Sequence, residues 1–539
     1  MYKYIKVIII YLLMGVPAYF SYIIKNYSKI IRTIDNLKEV HNLYLDCNSI
    51  IYDAMYSIKE NRNNIDDVII KSICQRLHNY IIQIKPTQRV FIAFDGVAPV
   101  AKLEQQRTRR IRSKLIKSIT DELIPNNFKL KFDGTCITPG TQFMNKLTNE
   151  IKTYFSSNNQ FNTKEIIISC SDENGEGEHK LFEYIRSNPI PHQKENTVVY
   201  GLDADLIMLS INHLPVCPNI FLFRETPEFI KQLDNTLDPN KLYMIDIPLL
   251  NERISCELNQ YNVIKNEMKS SKTRDYIFLC FLLGNDFMPH FPALNIRTTG
   301  VQILIDVYGS IFTDSEMCLV KDCEIQWRNF KTLIKLLAQE ENNYLIKEYN
   351  SRNKKEKMNI PNNTPEEKLE KMNRLPCIQR EIERYINPTE KGWQNRYYEK
   401  LFHVEINEER RKQICVNYLE ALEWTTKYYT LGCVDWRWKY NYNYAPLLED
   451  LVKYIPYFQT TFFKNINTNC VSPYTQLSYV LPRSSLNLLP KKIESTLLSN
   501  HPEWYNEDFK IEWAYCKYLW ESHLILPNIS INTIEELIK

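Results

Sequence analysis

Carboxylates with a repeated placement are the chemically informative residues of this chain. The densest group lies in Ser171 to Lys180, SDENGEGEHK. The preceding run, EIIIS (Glu165 to Ser169), is apolar and β-branched and reads as a buried strand. The following run, HKLFEYIRS, has the apolar spacing of a helix. Gly175 and Gly177 between them allow a tight turn, and Glu176 and Glu178 follow those glycines directly. This displays acids at the carboxyl end of a strand, where open α/β sheets place their ligands. Taken alone, the stretch is equally a solvated helix start, because Asp and Glu favour the first helical turn.

Repetition decides between the two. NLYLDCN ends the strand run Leu43 to Leu45 with Asp46, and VFIAF (Val90 to Phe94) is followed by Asp95 and Gly96. Thr197 to Tyr200 is followed by Gly201, Asp203 and Asp205. FLFRE (Phe221 to Glu225) is a further strand candidate. DYIFLCFLLGNDFMPHF reads as a buried helix from about Asp275 that breaks at Gly284 and delivers Asp286 before two prolines. Of Asp46, Asp95, Glu176, Glu178, Asp203, Asp205 and Asp286, all but the last follow strands of what reads as one sheet, and the seven are expected to converge at its edge. Two carboxylates about 5 Å apart repel by roughly 3 kcal/mol at an effective dielectric near 20. Such a cluster holds protons or binds cations. All-oxygen donors select Mg²⁺ or Mn²⁺ over zinc, and this many carboxylates suit a pair of ions acting on a phosphodiester.

A cationic face lies beside one of these strands. In AKLEQQRTRRIRSK, Lys102, Gln106, Arg109 and Arg110 fall on one side of a helix. That is either a phosphate-binding surface or a solvated helix face with interspersed charge.

The elements that must position these groups are those of a large α/β protein. The chain has 539 residues, 44% hydrophobic and 24% charged, enough for two or more domains. Its net charge of +3 says little about partners. Fourteen cysteines without a C-x-x-C pair argue against a zinc ribbon and a disulfide framework, and for a reducing compartment. A cytoplasmic location is expected, with the nucleus left open. VIIIYLL (Val7 to Leu13) resembles a short signal-peptide core but is too short to span a bilayer; it also fits a buried strand or an extension ahead of a second start at Met14. No membrane association is expected.

Residues 347–391 are charged and broken and read as a linker or insertion with partial helix. Beyond it a helix from Glu408 ends near Gly432, and Trp436, Trp438, Tyr440, Tyr442 and Tyr444 alternate along the chain. The alternation fits a strand packed on a core, or a platform on which bases stack. The closing segment reads as helix and loop covering the first domain.

Taken together, MGVPAYF, NLYLDCN, FDGVAPVAKLEQQRTRR, FDGTCITPGTQFM, GEGEHK, GLDADLIML, FLLGNDFMPHFPAL, KGWQNRYYEKLF, GCVDWRWKYNYNYAP and SPYTQLSYVLP resemble the XRN-type 5′→3′ exoribonucleases. The resemblance covers nearly everything after residue 13 except the linker. It implies a mixed, largely parallel sheet flanked by helices, a PIN or flap-nuclease-like core, with a mostly helical C-terminal region. It divides the chain into an extension (1–13), a nuclease core (14–346), the linker (347–391) and a second region (392–539). It implies that the seven acids bind the metal and carry catalysis, and that Lys102, Gln106, Arg109 and Arg110 hold a 5′-monophosphate. An aromatic clamp would use Trp436 or Trp438 on one side. Tyr52 stands on the other, where the family has a histidine. Asn174 replaces the proline usual before GEGEHK. The family's zinc knuckle and long C-terminal extension have no counterpart.

The expected activity is processive 5′→3′ degradation of single-stranded RNA to 5′-mononucleotides. A structure-specific 5′ DNA nuclease shares the acid-tipped sheet and is the alternative. A non-catalytic RNA-binding protein would need a broken acid set, and none of the seven is replaced.

Overall fold

The computed structural model describes residues 19–60, 63–124, 130–156, 161–201, 203–224, 238, 241–259, 266–312, 317–403 and 407–539. The N-terminal extension and the Met14 start lie outside them. Seven strands form one sheet: β1 (Ile31–Thr33), β2 (Asn42–Asp46), β3 (Arg89–Ala93), β4 (Glu165–Ser169), β5 (Thr197–Tyr200), β6 (Ile220–Arg224) and β7 (Tyr243–Asp246). Their order is β1-β7-β6-β5-β2-β3-β4. β6, β5, β2, β3 and β4 run parallel, while β7 and β1 add two antiparallel pairings at one edge. The chain winds outward from β2 through β3 to β4, then returns to the other side of β2 to lay down β5 and β6. The direction reverses between β2 and β5, and the acids of both strands border that crevice.

Register aligns the strand ends. Leu45 lies opposite Ile92 on one side and Tyr200 on the other, and Asp46 lies opposite Ala93. Side chains alternate between two apolar cores, as parallel strands covered on both faces require. Leu43, Leu45, Val90 and Ile92 face the helix Ile65–Ile84, with Ile69, Ile73 and Leu77 in the same cluster. Tyr44, Phe91 and Val199 face Leu181, Phe182 and Leu206.

That second core continues into the C-terminal half. The helix Glu408–Thr430 contributes Tyr418, Leu422, Trp424 and Tyr428 to it. The helix Pro473–Val480 packs on the helix Val100–Leu123, burying Leu477 and Val480 with Val97, Val100 and Leu103. The closing segment therefore covers the first region as expected.

Residues 347–391 differ from a plain linker. The helix Trp327–Glu356 runs into them, and Pro365–Asn373, Leu375–Ile378 and Glu381–Ile386 are helical. Arg352 and Arg380 both ion-pair with the buried Glu383, at 2.6 and 2.7 Å. Charged residues are buried here because they neutralise one another, which composition alone does not reveal. The alternating aromatic run is not a strand either; its only ladder contact among the described residues is one bridge, Asp435 to Asn467. None of the fourteen cysteines is in a disulfide. No described helix is long and apolar enough to cross a membrane.

Candidate active site

Asp46 is the last residue of β2, and its neighbour Cys47 donates its amide to Ala93 O at 2.9 Å, tying the ends of β2 and β3 together. Asp95 lies in the loop after β3. Its Oδ1 accepts from Gly177 N at 2.7 Å and its Oδ2 from the Asn48 amide group. Two loops are stapled at this point: Gly96 N donates to Gly175 O at 2.8 Å, and Gly175 N to Val97 O at 2.7 Å. Gly175 has φ of +103°, a left-handed conformation that glycine adopts without strain. Lys180 Nζ straps the same edge, donating to Phe94 O at 2.8 Å and Cys170 O at 2.7 Å.

Gly177 opens the helix Gly177–Ser187, and a Cβ there would lie 2.6 Å from Asp46 Oδ1 and 3.5 Å from Asp95 Oδ1. Only a bare Cα fits between these two acids. Glu176 and Glu178 flank it. Asp203 and Asp205 follow β5, with Asp205 N donating to Asp203 Oδ1 at 3.4 Å. Asp286 arrives from the turn after the helix Asn266–Phe281.

Electrostatics join the seven acids into one group. Burial raises Asp46 well above the usual carboxylate range, and Asp95, Asp203 and Glu176 raise it further. Burial, then Glu176, raises Asp95. Burial, Asp203, Asp205 and Glu176 raise Glu178, and burial, Asp203 and Asp286 raise Asp205.

One cation sits among them. Lys102 Nζ lies 2.7 Å from both Glu176 Oε1 and Asp286 Oδ2. Burial opposes its charge, yet Asp286, Glu176 and Glu178 hold its pKa well above the ordinary value. Among the described residues no three of the acids close on one point at metal-ligand distance. The donor set nevertheless fits a hard divalent cation. It is all oxygen, it carries more negative charge than one ammonium can balance, and Glu178 Oε2 is buried with no hydrogen-bond partner among the described residues.

The four residues of the cationic helix face divide. Lys102 turns into the acids. Gln106 is buried and accepts from Arg110 Nη1 at 3.5 Å. Burial, with Arg109 nearby, pulls Arg110 down to about 10, while Tyr52 and Asp133 support its charge. Arg109 instead borders a cleft shared with Gln105 and Asp286.

The two tryptophans also part company. Trp438 stacks on Trp424 with centroids 5.4 Å apart, meets the Phe463 ring edge-on at 5.9 Å and donates its indole N–H to Glu420 at 3.2 Å. Trp436 is held by its backbone: its carbonyl accepts from Val100 N at 2.9 Å, the first residue of the cationic helix, and its ring is half-buried. Tyr52 is half-buried on the helix Asn48–Tyr56.

Several groups that touch the acids carry no local signal in the sequence. Tyr428 OH donates to Glu176 Oε2 at 2.7 Å, and Tyr429 hydrogen-bonds Asp205. Gln105 Nε2 donates to Asp286 Oδ1 at 3.1 Å. The tyrosines lie far along the chain in a helix whose aromatic content reads as ordinary core.

Two family models match this architecture. The XRN 5′-3′ exonuclease N-terminus matches residues 14–226, which carry six of the sheet's seven strands and six of the seven acids. The Xrn1 helical domain matches residues 271–384 and 361–538, which carry Asp286 and the helix that delivers the tyrosines. The chain belongs to the XRN 5′-3′ exonuclease family. A 5′-3′ exoribonuclease 2 homologue of Drosophila melanogaster is 29% identical over 95% of this chain and 69% of its own length. The 5′-3′ exoribonuclease 1 of Homo sapiens is 30% identical over 96% of this chain and 33% of its own. That of Schizosaccharomyces pombe is 26% identical over 96% and 48%. The chain thus spans about two thirds of the first relative and a third to a half of the other two. The XRN N-terminal region is PIN-like, in agreement with the acid-edged, largely parallel sheet.

Proposed function

We propose that this chain is a metal-dependent 5′→3′ exoribonuclease that acts in RNA decay, hydrolysing single-stranded RNA from a 5′-monophosphate end and releasing 5′-mononucleotides. The observation that carries this reading is the convergence of seven carboxylates on the same sheet edge from which a cationic helix departs. Asp46, Asp95, Glu176, Glu178, Asp203, Asp205 and Asp286 would hold Mg²⁺ or Mn²⁺, two ions being the number such a donor set suits. Bound there, the ions would supply a water nucleophile at neutral pH and stabilise the leaving oxygen.

The remaining work falls to the chain. Gln106, Arg109 and Arg110 receive the terminal phosphate, Arg as a fork of donors matched to its oxygens. Lys102 lies between that phosphate and the acids. Tyr52 and Trp436 supply faces on which the first bases stack. Water oxygen joins phosphorus at the first internucleotide linkage, the bond to the 3′ oxygen breaks, and that oxygen leaves as a hydroxyl. The shortened strand again carries a 5′-monophosphate, so the same site accepts it for the next step.

The test offers the purified chain, with Mg²⁺, RNAs of one sequence bearing a 5′-monophosphate, a 5′-hydroxyl or a cap, and the matched 5′-phosphorylated DNA. Preference for the first, with mononucleotide product, is expected. Equal cleavage of the DNA would point to the flap-type alternative. Unchanged RNA turnover in the Asp203→Ala, Asp205→Ala double variant would refute the catalytic assignment.

A further inference from the structure

A cleft of about 310 Å³ lies on the side of the cationic helix away from Tyr52, within the size range of small-ligand sites. It begins at the acids, since Asp286 forms part of its wall while also accepting from Lys102 and Gln105. Its helix wall presents Gln105, Thr108, Arg109 and Arg112. The rest of its lining includes flat rings, among them Tyr442 and Trp520. Tyr518 stacks on Trp520 at 5.8 Å, and Arg297 lies 5.8 Å from the Trp520 ring while ion-paired to Glu521 at 2.6 Å, which fixes that rim.

The walls carry unmet hydrogen-bonding capacity. Among the described residues Arg112 Nε, Gln105 Oε1 and Asn285 Nδ2 have no hydrogen-bond partner. Arg112 Nη1 donates to Ser522 O at 2.5 Å. Burial pulls its pKa down to about 10, so an anion would find a poorly hydrated guanidinium there. Gln106, Arg110, Tyr52 and Trp436 do not line the cleft. It is a second opening on the acid cluster that meets the strand-binding face at Arg109, which borders both.

We propose that this cleft receives the released nucleoside 5′-monophosphate, its phosphate against Arg109 and Arg112 and its base against Trp520 and Tyr442. The proposal rests on the exoribonuclease reading above. Product then leaves by one opening while the shortened strand advances through another, so neither has to clear the way for the other.

The test compares pre-steady-state and steady-state hydrolysis of 5′-phosphorylated RNA, with AMP as inhibitor. Thr108→Trp places a bulky ring in the cleft from the helix surface. It is expected to lower steady-state turnover about fivefold or more and to leave a burst of first product, the signature of slowed release. Trp520→Ala, which empties rather than fills the cleft, is expected to raise the AMP inhibition constant about fivefold with KM for RNA unchanged. If wild-type chain degrades RNA but neither variant shows its effect, the cleft is not the product site. If wild-type chain does not degrade RNA from its 5′ end, it is the underlying reading that falls.

Discussion

Tyr428, in a helix of the C-terminal half, hydrogen-bonds Glu176, in the sheet-edge loop of the N-terminal half, at 2.7 Å. The ring is wedged between Trp424 at 4.6 Å and His179 at 3.7 Å, and Trp424 in turn stacks on Trp438 at 5.4 Å. The helical half therefore orients a carboxylate of the site as well as covering it. Outer groups of this kind govern ligand direction and basicity.

Tyr428→Phe removes the donor and keeps the stacked ring. Affinity for Mn²⁺, titrated into the full chain by calorimetry, is expected to fall roughly 10–100-fold. The melting temperature should move by only a few degrees, corresponding to about 1 kcal/mol. Unaltered Mn²⁺ affinity would show that the hydroxyl does not orient Glu176.

Gly177→Ala separates crowding at the acids from helix stability. The new methyl would sit 2.6 Å from Asp46 Oδ1. Gly to Ala favours a helix by up to about 1 kcal/mol in its interior and by less in the first turn, so the exchange itself costs no helix propensity. RNA turnover is expected to drop at least about tenfold as Asp46 is displaced, with thermal stability retained. Full activity would mean that the spacing between Asp46 and Asp95 is unimportant.

The two tryptophans of the DWRW stretch should respond oppositely. Trp436→Ala is expected to weaken single-stranded RNA binding by about 1–3 kcal/mol without loss of stability. Trp438→Ala breaks the ring column and is expected to destabilise the fold by about 3 kcal/mol. Fluorescence anisotropy and urea melts read the two quantities, and the reverse pattern would reassign the stacking role.

The acids also set a pH dependence. Asp46, Glu178 and Asp205 are raised in the folded chain, by burial first and by neighbouring acids second. Above their unfolded values near 4 the folded chain holds more protons than the unfolded one. Their contribution to stability is thus complete at low pH and is lost as pH rises through the folded values. A divalent cation needs these groups ionised. The rise in melting temperature on replacing EDTA with Mg²⁺ should be larger near pH 7.5 than near pH 5.5. Equal rises would place Mg²⁺ elsewhere.

The sheet and its acids were legible because each strand is a short apolar, β-branched run and each acid follows it within a few residues. Asp286 was legible from the break at Gly284, which the structure places three residues beyond the helix end at Phe281. Other features depend on contacts across hundreds of residues. Nothing local marks Tyr428 as a partner of Glu176. Lys102 has the helical spacing of a phosphate ligand, and only the field of several assembled acids turns it inward. The aromatic alternation after Gly432 imitates a strand, yet its rings are spaced to reach separate partners along an irregular path.

The staple between Gly96 and Gly175 has an evolutionary corollary. A Cβ on Gly96 would come within 1.6 Å of Glu173 O, a backbone atom that no rotamer change can move aside. Neighbouring Asn174 is exposed, and its side-chain amide donates to Cys470 Sγ at 2.9 Å. In a saturation library, position 96 should admit no replacement while position 174 drifts freely. Tolerance two residues before a proposed metal ligand is then no sign that the ligand is dispensable.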